Sequence, residues 1–322
     1  MIAVWLGLII FFSFLLVKGT DIVLVNLKSL GSKSRAGAFA ISGLIAALGT
    51  SIPELFVSFI AALEGKSNLA LGTVVGSNIA NLSIIIGGAA LFGGSIAVRG
   101  DFLKTDVFWA FLIGAAPMLL LFDKNLSRLD GVILLGLYIF YQLAVFQERY
   151  RRVGEEESEG FIQRLIRKLN HRTSRRELGW IALGFALLLF SAEMLVRVAS
   201  RLAVTLKIPV LLVGLILVAV GTSLPELAFS IGAIKKHQPE VVFGNLFGSV
   251  VANATLILGL AVLISPLQIQ AFAQYLLATM AFVVVFGAFY FFTRTKRRLE
   301  RWEGAFLVGF YLAFVLSEFI RF

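Results

Sequence analysis

The chain has no cysteine, only 2 histidines and only 6 prolines among 322 residues, and charged side chains make up just 15% of it. Each scarcity removes a class of function. Without cysteine there are no disulfides, no thiolate metal sites and no thiol nucleophile. His171 and His237 both fall in polar stretches, which leaves no room for a histidine-rich zinc site or a histidine proton relay. Apolar residues replace the missing charge. They make up 59% of the chain, where soluble domains hold about 45–50%. A soluble domain of this length could not hide so much apolar surface, and the chain therefore reads as an all-α polytopic membrane protein. A span needs roughly 20 apolar residues, so the chain has room for about ten. The net charge of +10 would suggest nucleic acid for a soluble protein. Here it is read as loop charge that sets topology, and neither a nucleic-acid partner nor a cofactor is expected.

Apolar segments fall at 2–27, 37–63, 69–94, 105–122, 129–147, 178–203, 208–234, 240–265, 271–292 and 302–320. The first lacks a basic leader and runs on into Lys18-Gly-Thr-Asp21, so it is kept as a span and not a cleaved signal. One long polar connection, 148–177, divides the spans five and five. The expected organisation is a first unit over 1–147, a linker over 148–177 and a second unit over 178–322. In the linker, Phe161, Leu165, Ile166 and Leu169 share one helical face among basic residues, which suits either a helix lying on the membrane surface or a solvated linker. Loops on the linker's side hold 21 Lys and Arg, against 7 on the opposite side when Arg197 and Arg201, at the end of the sixth span, are counted there. The positive-inside rule then puts the linker in the cytoplasm and both termini outside.

Residues 49–81 and 221–253 align without a gap at an offset of 172, with 13 of 33 positions identical. The identities include Gly-Thr-Ser-x-Pro-Glu-Leu, a later serine and Gly-Ser-x-x-Ala-Asn, not the apolar filler that chance would match. Five spans per copy is an odd number, so the second copy enters the membrane from the other side, the inverted repeat of secondary transporters.

The chemistry of each copy follows from its residues. Pro53 has no N–H and its ring clashes with the carbonyl four residues back, while Gly49 eases a bend. Span two is expected to break at Gly49-Thr50-Ser51, freeing carbonyls near Ala46, Ala47 and Leu48 for a cavity, protein or ion. Gly221, Thr222, Ser223, Pro225 and Glu226 repeat the pattern, with Ala219 offering a carbonyl. Ser51 and Glu54 also fit a capping box, so the two glutamates could be capping residues only. Against that, a carboxylate in mid-membrane is costly unless paired, and neither motif has a Lys or Arg nearby. Cation ligation is the favoured reading. In spans three and eight, Ser77 with Asn81 and Ser249 with Asn253 lie four apart on one helix face, and Gly76 and Gly248 permit close packing. Glu54, Glu226, Asn81, Asn253 and the hydroxyls of Thr50, Ser51, Ser77, Thr222, Ser223 and Ser249 make an all-oxygen set that suits Ca²⁺ or Na⁺ and not a soft transition metal.

Both motifs resemble the alpha-1 and alpha-2 repeats of the sodium/calcium exchanger family, in the calcium/cation antiporter superfamily, over essentially the whole chain. The resemblance implies two inverted five-helix repeats with broken helices 2, 3, 7 and 8, and alternating access as spans one and six slide over the core. It implies exchange of Ca²⁺ for Na⁺ in a multi-pass protein of the plasma (inner) membrane, with no obligatory protein partner and no enzymatic activity. By motif position it implies calcium binding by Glu54, Glu226, Thr50 and Thr222. Sodium binding falls to Ser51, Ser77, Ser223, Ser249, Glu54, Glu226 and the carbonyls of Ala47 and Ala219, with Asn81 and Asn253 completing the polar site.

Two positions depart from the family pattern. Asn253 stands where many relatives carry aspartate, and Val250 where Asn is usual. The site charge is then −2, which offsets one Ca²⁺ but not three Na⁺, so a Ca²⁺/H⁺ antiporter of the same fold stays open beside the sodium-driven one. A channel fits broken, inverted helices less well, and a hydrolase would need a nucleophile–base pair or a metal. Asp21 and Glu193 also match at the 172 offset, and pairing with Lys18 and Arg197 is favoured over a lining role in the entry passages. The 30 phenylalanines, dense in 271–320, are expected to face lipid.

Overall fold

A computed structural model describes residues 2–32, 50–98, 102–153 and 175–320, and they are helical almost throughout. Helices satisfy every backbone polar group internally, which lipid demands. The first half comprises α1 (Ile2–Ser32), α2 (Ile52–Leu63), α3 (Ser67–Ala80), α4 (Ile86–Gly93), α5 (Phe102–Gly114), α6 (Ala116–Leu120) and α7 (Arg128–Val153). The second comprises α8 (Arg175–Leu206), α9 (Val210–Leu212), α10 (Ala219–Thr222), α11 (Leu224–Lys235), α12 (Pro239–Ala252), α13 (Leu258–Ile264), α14 (Phe272–Lys296) and α15 (Arg301–Ile320). Seven stretches among the described residues are long and apolar enough to cross a membrane, and two shorter apolar helices, Ile52–Leu63 and Val107–Asp123, fall within the second and fourth expected spans. The first part of the second span, with Ala47 and Gly49, and the amphipathic segment at 161–169 lie outside the described residues.

The duplication is written into the elements. Adding 172 to the bounds of α2 and α3 gives those of α11 and α12. Their contacts recur with the halves exchanged: α2 packs on α13 as α11 packs on α4, and α4 packs on α15 as α13 packs on α7. Two short ribbons follow the same rule, β1 (Ile96–Ala97) pairing antiparallel with β4 (Arg298–Leu299), and β2 (Asn125–Leu126) with β3 (Leu267–Gln268). Each ribbon ties one half to the other.

Helices in lipid gain little from apolar burial against each other, so close packing at small residues does the work. The Gly76 position illustrates it, because a Cβ there would stand 2.1 Å from the Leu215 carbonyl oxygen. Gly72, one turn earlier, meets the Leu211 carbonyl at the same 2.1 Å. α3 is thereby pressed on the segment leading into α10. α1 and α8 pack along each other, and with α2 they hold an apolar cluster that includes Leu16, Val57, Leu188 and Leu195.

Two expectations need correction. Spans three and eight are not broken. α3 continues into α4, and α12 into α13, through single π turns at Asn81–Ile85 and Asn253–Ile257. Lacking a proline at that point, the chain absorbs the irregularity as one extra residue in the helical turn. Nor are the C-terminal phenylalanines all lipid-facing. Phe282, Phe286 and Phe289 are buried and meet Phe111, Phe243 and Phe247 in a ring cluster, while Phe291, Phe306 and Phe319 are exposed.

Candidate functional site

Pro53 and Pro225 occupy the first turn of α2 and α11, where a missing N–H costs no helical bond. The residue that starts each helix, Ser51 or Ser223, leaves helical geometry in the same way, at φ −88°, ψ 8° and φ −89°, ψ 4°. In the second half the span also carries a π turn at Val213–Val218, and the backbone stays hydrogen-bonded across Ser223. The Ser223 N–H still donates to the Ala219 carbonyl at 3.1 Å, and the Leu227 N–H to the Ser223 carbonyl at 3.4 Å. The expectation of a free carbonyl at Ala219 is therefore not met, since that oxygen also accepts from the Thr222 hydroxyl at 3.2 Å.

The turn carries both glutamates inward, Glu54 to 0% exposure and Glu226 to 2%. Neither serine caps its helix with its side chain, so the capping box does not form. The hydroxyl of Ser223 instead donates to Oε1 of Glu54 at 3.2 Å, and that of Ser77 to the same oxygen at 3.4 Å. Beside Ser223, Thr222 donates its hydroxyl to the carbonyls of Val218 at 3.1 Å and Ala219 at 3.2 Å. Glu54 is thus met by a hydroxyl from the opposite half, and Glu226, at the matching position of that half, is buried as deeply.

A layer of amides adjoins them. Nδ2 of Asn253 donates to Oδ1 of Asn78 at 3.0 Å, and Nδ2 of Asn78 to the Val250 carbonyl at 3.2 Å. Asn81 and Asn253 open the two π turns, a helical irregularity frequent at functional sites. Among the described residues, five side-chain oxygens in this region are buried without a hydrogen-bond partner: Ser51 Oγ, Glu54 Oε2, Asn81 Oδ1, Glu226 Oε2 and Asn253 Oδ1. An unsatisfied buried oxygen is costly, and five in one region suit a cation whose ligands they would be. Among the described residues no three His, Asp or Glu side chains cluster. The formal charge rests on two carboxylates, with hydroxyls and amides as neutral donors.

The structure gathers the expected Glu54, Ser77 and Ser223 in one hydrogen-bonded group, with Thr222 next in the chain but bonded within its own segment. It also joins Thr50 to Ser249 at 3.3 Å. Two participants were not singled out as site residues from the sequence, Asn78 and Asn245. Oδ1 of Asn245 accepts from the Thr50 hydroxyl at 2.8 Å. Its spacing, one turn before Ser249 on the same face of α12, was the available signal. Asp21 and Glu193 form ion pairs on their own helices, Asp21 with Lys18 at 3.8 Å and Glu193 with Arg197, so the pairing reading stands. Arg197 also reaches Glu64 at 3.7 Å.

Matching helical halves that meet at a buried, oxygen-rich cluster with two carboxylates define a membrane transporter of cations. The family model described as sodium/calcium exchanger protein matches residues 4–147 and 177–319, one match per half. The chain belongs to the sodium/calcium exchanger protein family. It is 34% identical to inner membrane protein YrbG of Escherichia coli over 71% of this chain and 70% of that one. It is 30% identical to the sodium/calcium exchanger MaX1 of Methanosarcina acetivorans, over 94% and 95%. The solved structure of the sodium-calcium exchanger NCX_Mj, soaked with Na⁺ and Sr²⁺, is similar at a TM-score of 0.63 and 26% identity, covering 98% of this chain and 99% of that one.

Proposed function

We propose that this chain exchanges Ca²⁺ for Na⁺ across the inner membrane by alternating access. Two five-helix units, 1–147 and 178–322, are inverted about an axis in the membrane plane, with the linker cytoplasmic and both termini outside. The observation that carries the reading is the pair Glu54 and Glu226, buried at 0% and 2% exposure with one oxygen of each lacking a hydrogen-bond partner. Two carboxylates without a basic partner in their motifs fit one divalent cation, and Ca²⁺ takes six to eight oxygens. Thr50 and Thr222 complete the calcium position. Ser51, Ser77, Ser223, Ser249 and the Ala47 carbonyl serve sodium, and Asn81 and Asn253 border both. The names of MaX1 and NCX_Mj, both sodium/calcium exchangers, support the same choice of ions. Contacts that recur with the halves exchanged support two equivalent access states, because each half can offer its partner the same surface.

Proton coupling is the second reading, and Asn253 is the observation that favours it. With no third carboxylate at that position, three sodium ions would leave the site with net positive charge. Purified protein in liposomes, loaded with Na⁺ or with acidic buffer and diluted into ⁴⁵Ca²⁺, separates the two. Uptake driven by the Na⁺ gradient and abolished when Na⁺ is equal on both sides supports sodium exchange. Uptake that follows the pH gradient instead overturns it.

A further inference from the structure

Among the described residues, the two site threonines have different hydrogen-bond partners. Thr222 donates its hydroxyl hydrogen within its own helical segment, to the carbonyls of Val218 at 3.1 Å and Ala219 at 3.2 Å. Among the described residues, Thr50 donates instead across to the other half, to Oδ1 of Asn245 at 2.8 Å. The position matching Asn245 in the first half is Thr73, whose hydroxyl is taken up by the Leu69 carbonyl at 2.9 Å. Asn245 is therefore an addition to one half with no amide counterpart in the other. It is 8% exposed, and it stands one turn before Ser249, whose Oγ lies 3.3 Å from the same Thr50 oxygen.

We propose that Asn245 is a positioning residue for the transported divalent cation, acting through Thr50. A hydroxyl has one hydrogen and two lone pairs. With the hydrogen committed to Asn245, the Thr50 oxygen faces the site as an acceptor, which is the form a cation needs. If that hydrogen were released, it would be free to point into the site, where it repels a cation instead of ligating it. α12 carries the amide and α2 follows the hydroxyl, so this orientation of the first-half threonine depends on the two halves being seated together. Thr222, held by its own helix, is ready throughout. This inference rests on the reading of Thr50 as a calcium ligand.

The test is a double-mutant cycle on Ca²⁺ uptake in proteoliposomes, with Thr50→Val, Asn245→Leu and the pair, alongside Asn245→Asp and the control Glu54→Gln. Thr50→Val and Asn245→Leu are each expected to raise the half-saturating Ca²⁺ concentration about tenfold, the scale of one hydrogen bond, with the maximal rate within about twofold. The pair should raise it no further than either alone, because both remove the same oriented oxygen. Asn245→Asp keeps the acceptor and should retain wild-type half-saturation or lower it. Multiplying effects in the pair, or Asn245→Asp as impaired as Asn245→Leu, overturns the proposal even where Glu54→Gln abolishes uptake. Normal uptake by Glu54→Gln overturns the underlying site reading instead. If Asn245→Leu does not fold, Asn245→Thr, which copies the residue of the first half, replaces it in the cycle with the same expectation.

Discussion

Ser223 donates its hydroxyl hydrogen to Oε1 of Glu54 at 3.2 Å, between residues 169 positions apart in the chain. The serine that interrupts the seventh span thus serves the carboxylate of the second. The hydrogen-bonded group around Glu54 is built from both halves.

Glu54→Gln and Glu226→Gln should each lower Ca²⁺ exchange at least about a hundredfold. A unit charge about 4 Å away at an effective dielectric near 20 is worth about 4 kcal/mol, and each substitution removes half of the site's negative charge. Flux in proteoliposomes checks this, with monodisperse elution in detergent as the control for folding. Normal exchange in either variant would remove that residue from the ligand set.

Asn253→Asp should make transport more pH-dependent and raise the Hill coefficient for sodium. The amide now donates to Oδ1 of Asn78 at 3.0 Å, and an ionised aspartate would set oxygen against oxygen there. The new group must hold a proton, take a cation or make Asn78 rotate. Ca²⁺ flux against Na⁺ concentration at several pH values distinguishes wild type from variant. Unchanged cooperativity and unchanged pH dependence would show that residue 253 does not set the stoichiometry.

Gly76→Ala should destabilise the protein by about 1–3 kcal/mol or more, the cost of overpacking, because its Cβ would fall 2.1 Å from the Leu215 carbonyl. Gly232→Ala meets nothing within 4 Å and should leave stability unchanged or slightly raised by better helix propensity. Thermal unfolding in detergent compares the two. Equal melting temperatures would mean that α3 can move away from its neighbour at little cost.

Arg164 should lie in the cytoplasm and Phe322 outside, as the excess of basic residues on the linker's side requires. The cysteine-free chain allows a single cysteine at either position without a background to remove. An impermeant maleimide applied to intact cells should label position 322 and spare 164, and the reverse pattern overturns the orientation.

Glu300, in the turn between α14 and α15, has its carboxyl held down to about 2 by hydrogen bonds from Lys296 and Trp302, with Arg298 adding to them. A depressed carboxyl contributes stability that is present above its ordinary value of 4.5 and lost as pH falls toward 2. Exposure screens the effect. Glu300→Gln should therefore leave the pH dependence of unfolding unchanged from pH 8 to 5 and flatten it only below about 4. A difference between variant and wild type near neutral pH would contradict this.

The sequence alone determined the helical class, the duplication and the two glutamates. Each of those depends on information that is local or self-similar. Apolar run length reports spans, an ungapped offset reports duplication, and Pro53 and Pro225 mark where a helix must restart. Capping was legible too, and wrong, because Ser51 and Glu54 have the right spacing for a capping box while the better partners, Ser77 and Ser223, come from other helices. Only the tertiary structure decided which helix faces which. Asn245 and Asn78 gained their hydrogen-bond partners from crossings that no periodicity encodes, and Phe282, Phe286 and Phe289 turned inward because Phe111, Phe243 and Phe247 were there to receive them. Helical spacing fixes which side chains share a face, but in a bundle where every face is apolar the partner across the interface is chosen by shape, and shape exists only once the helices have packed.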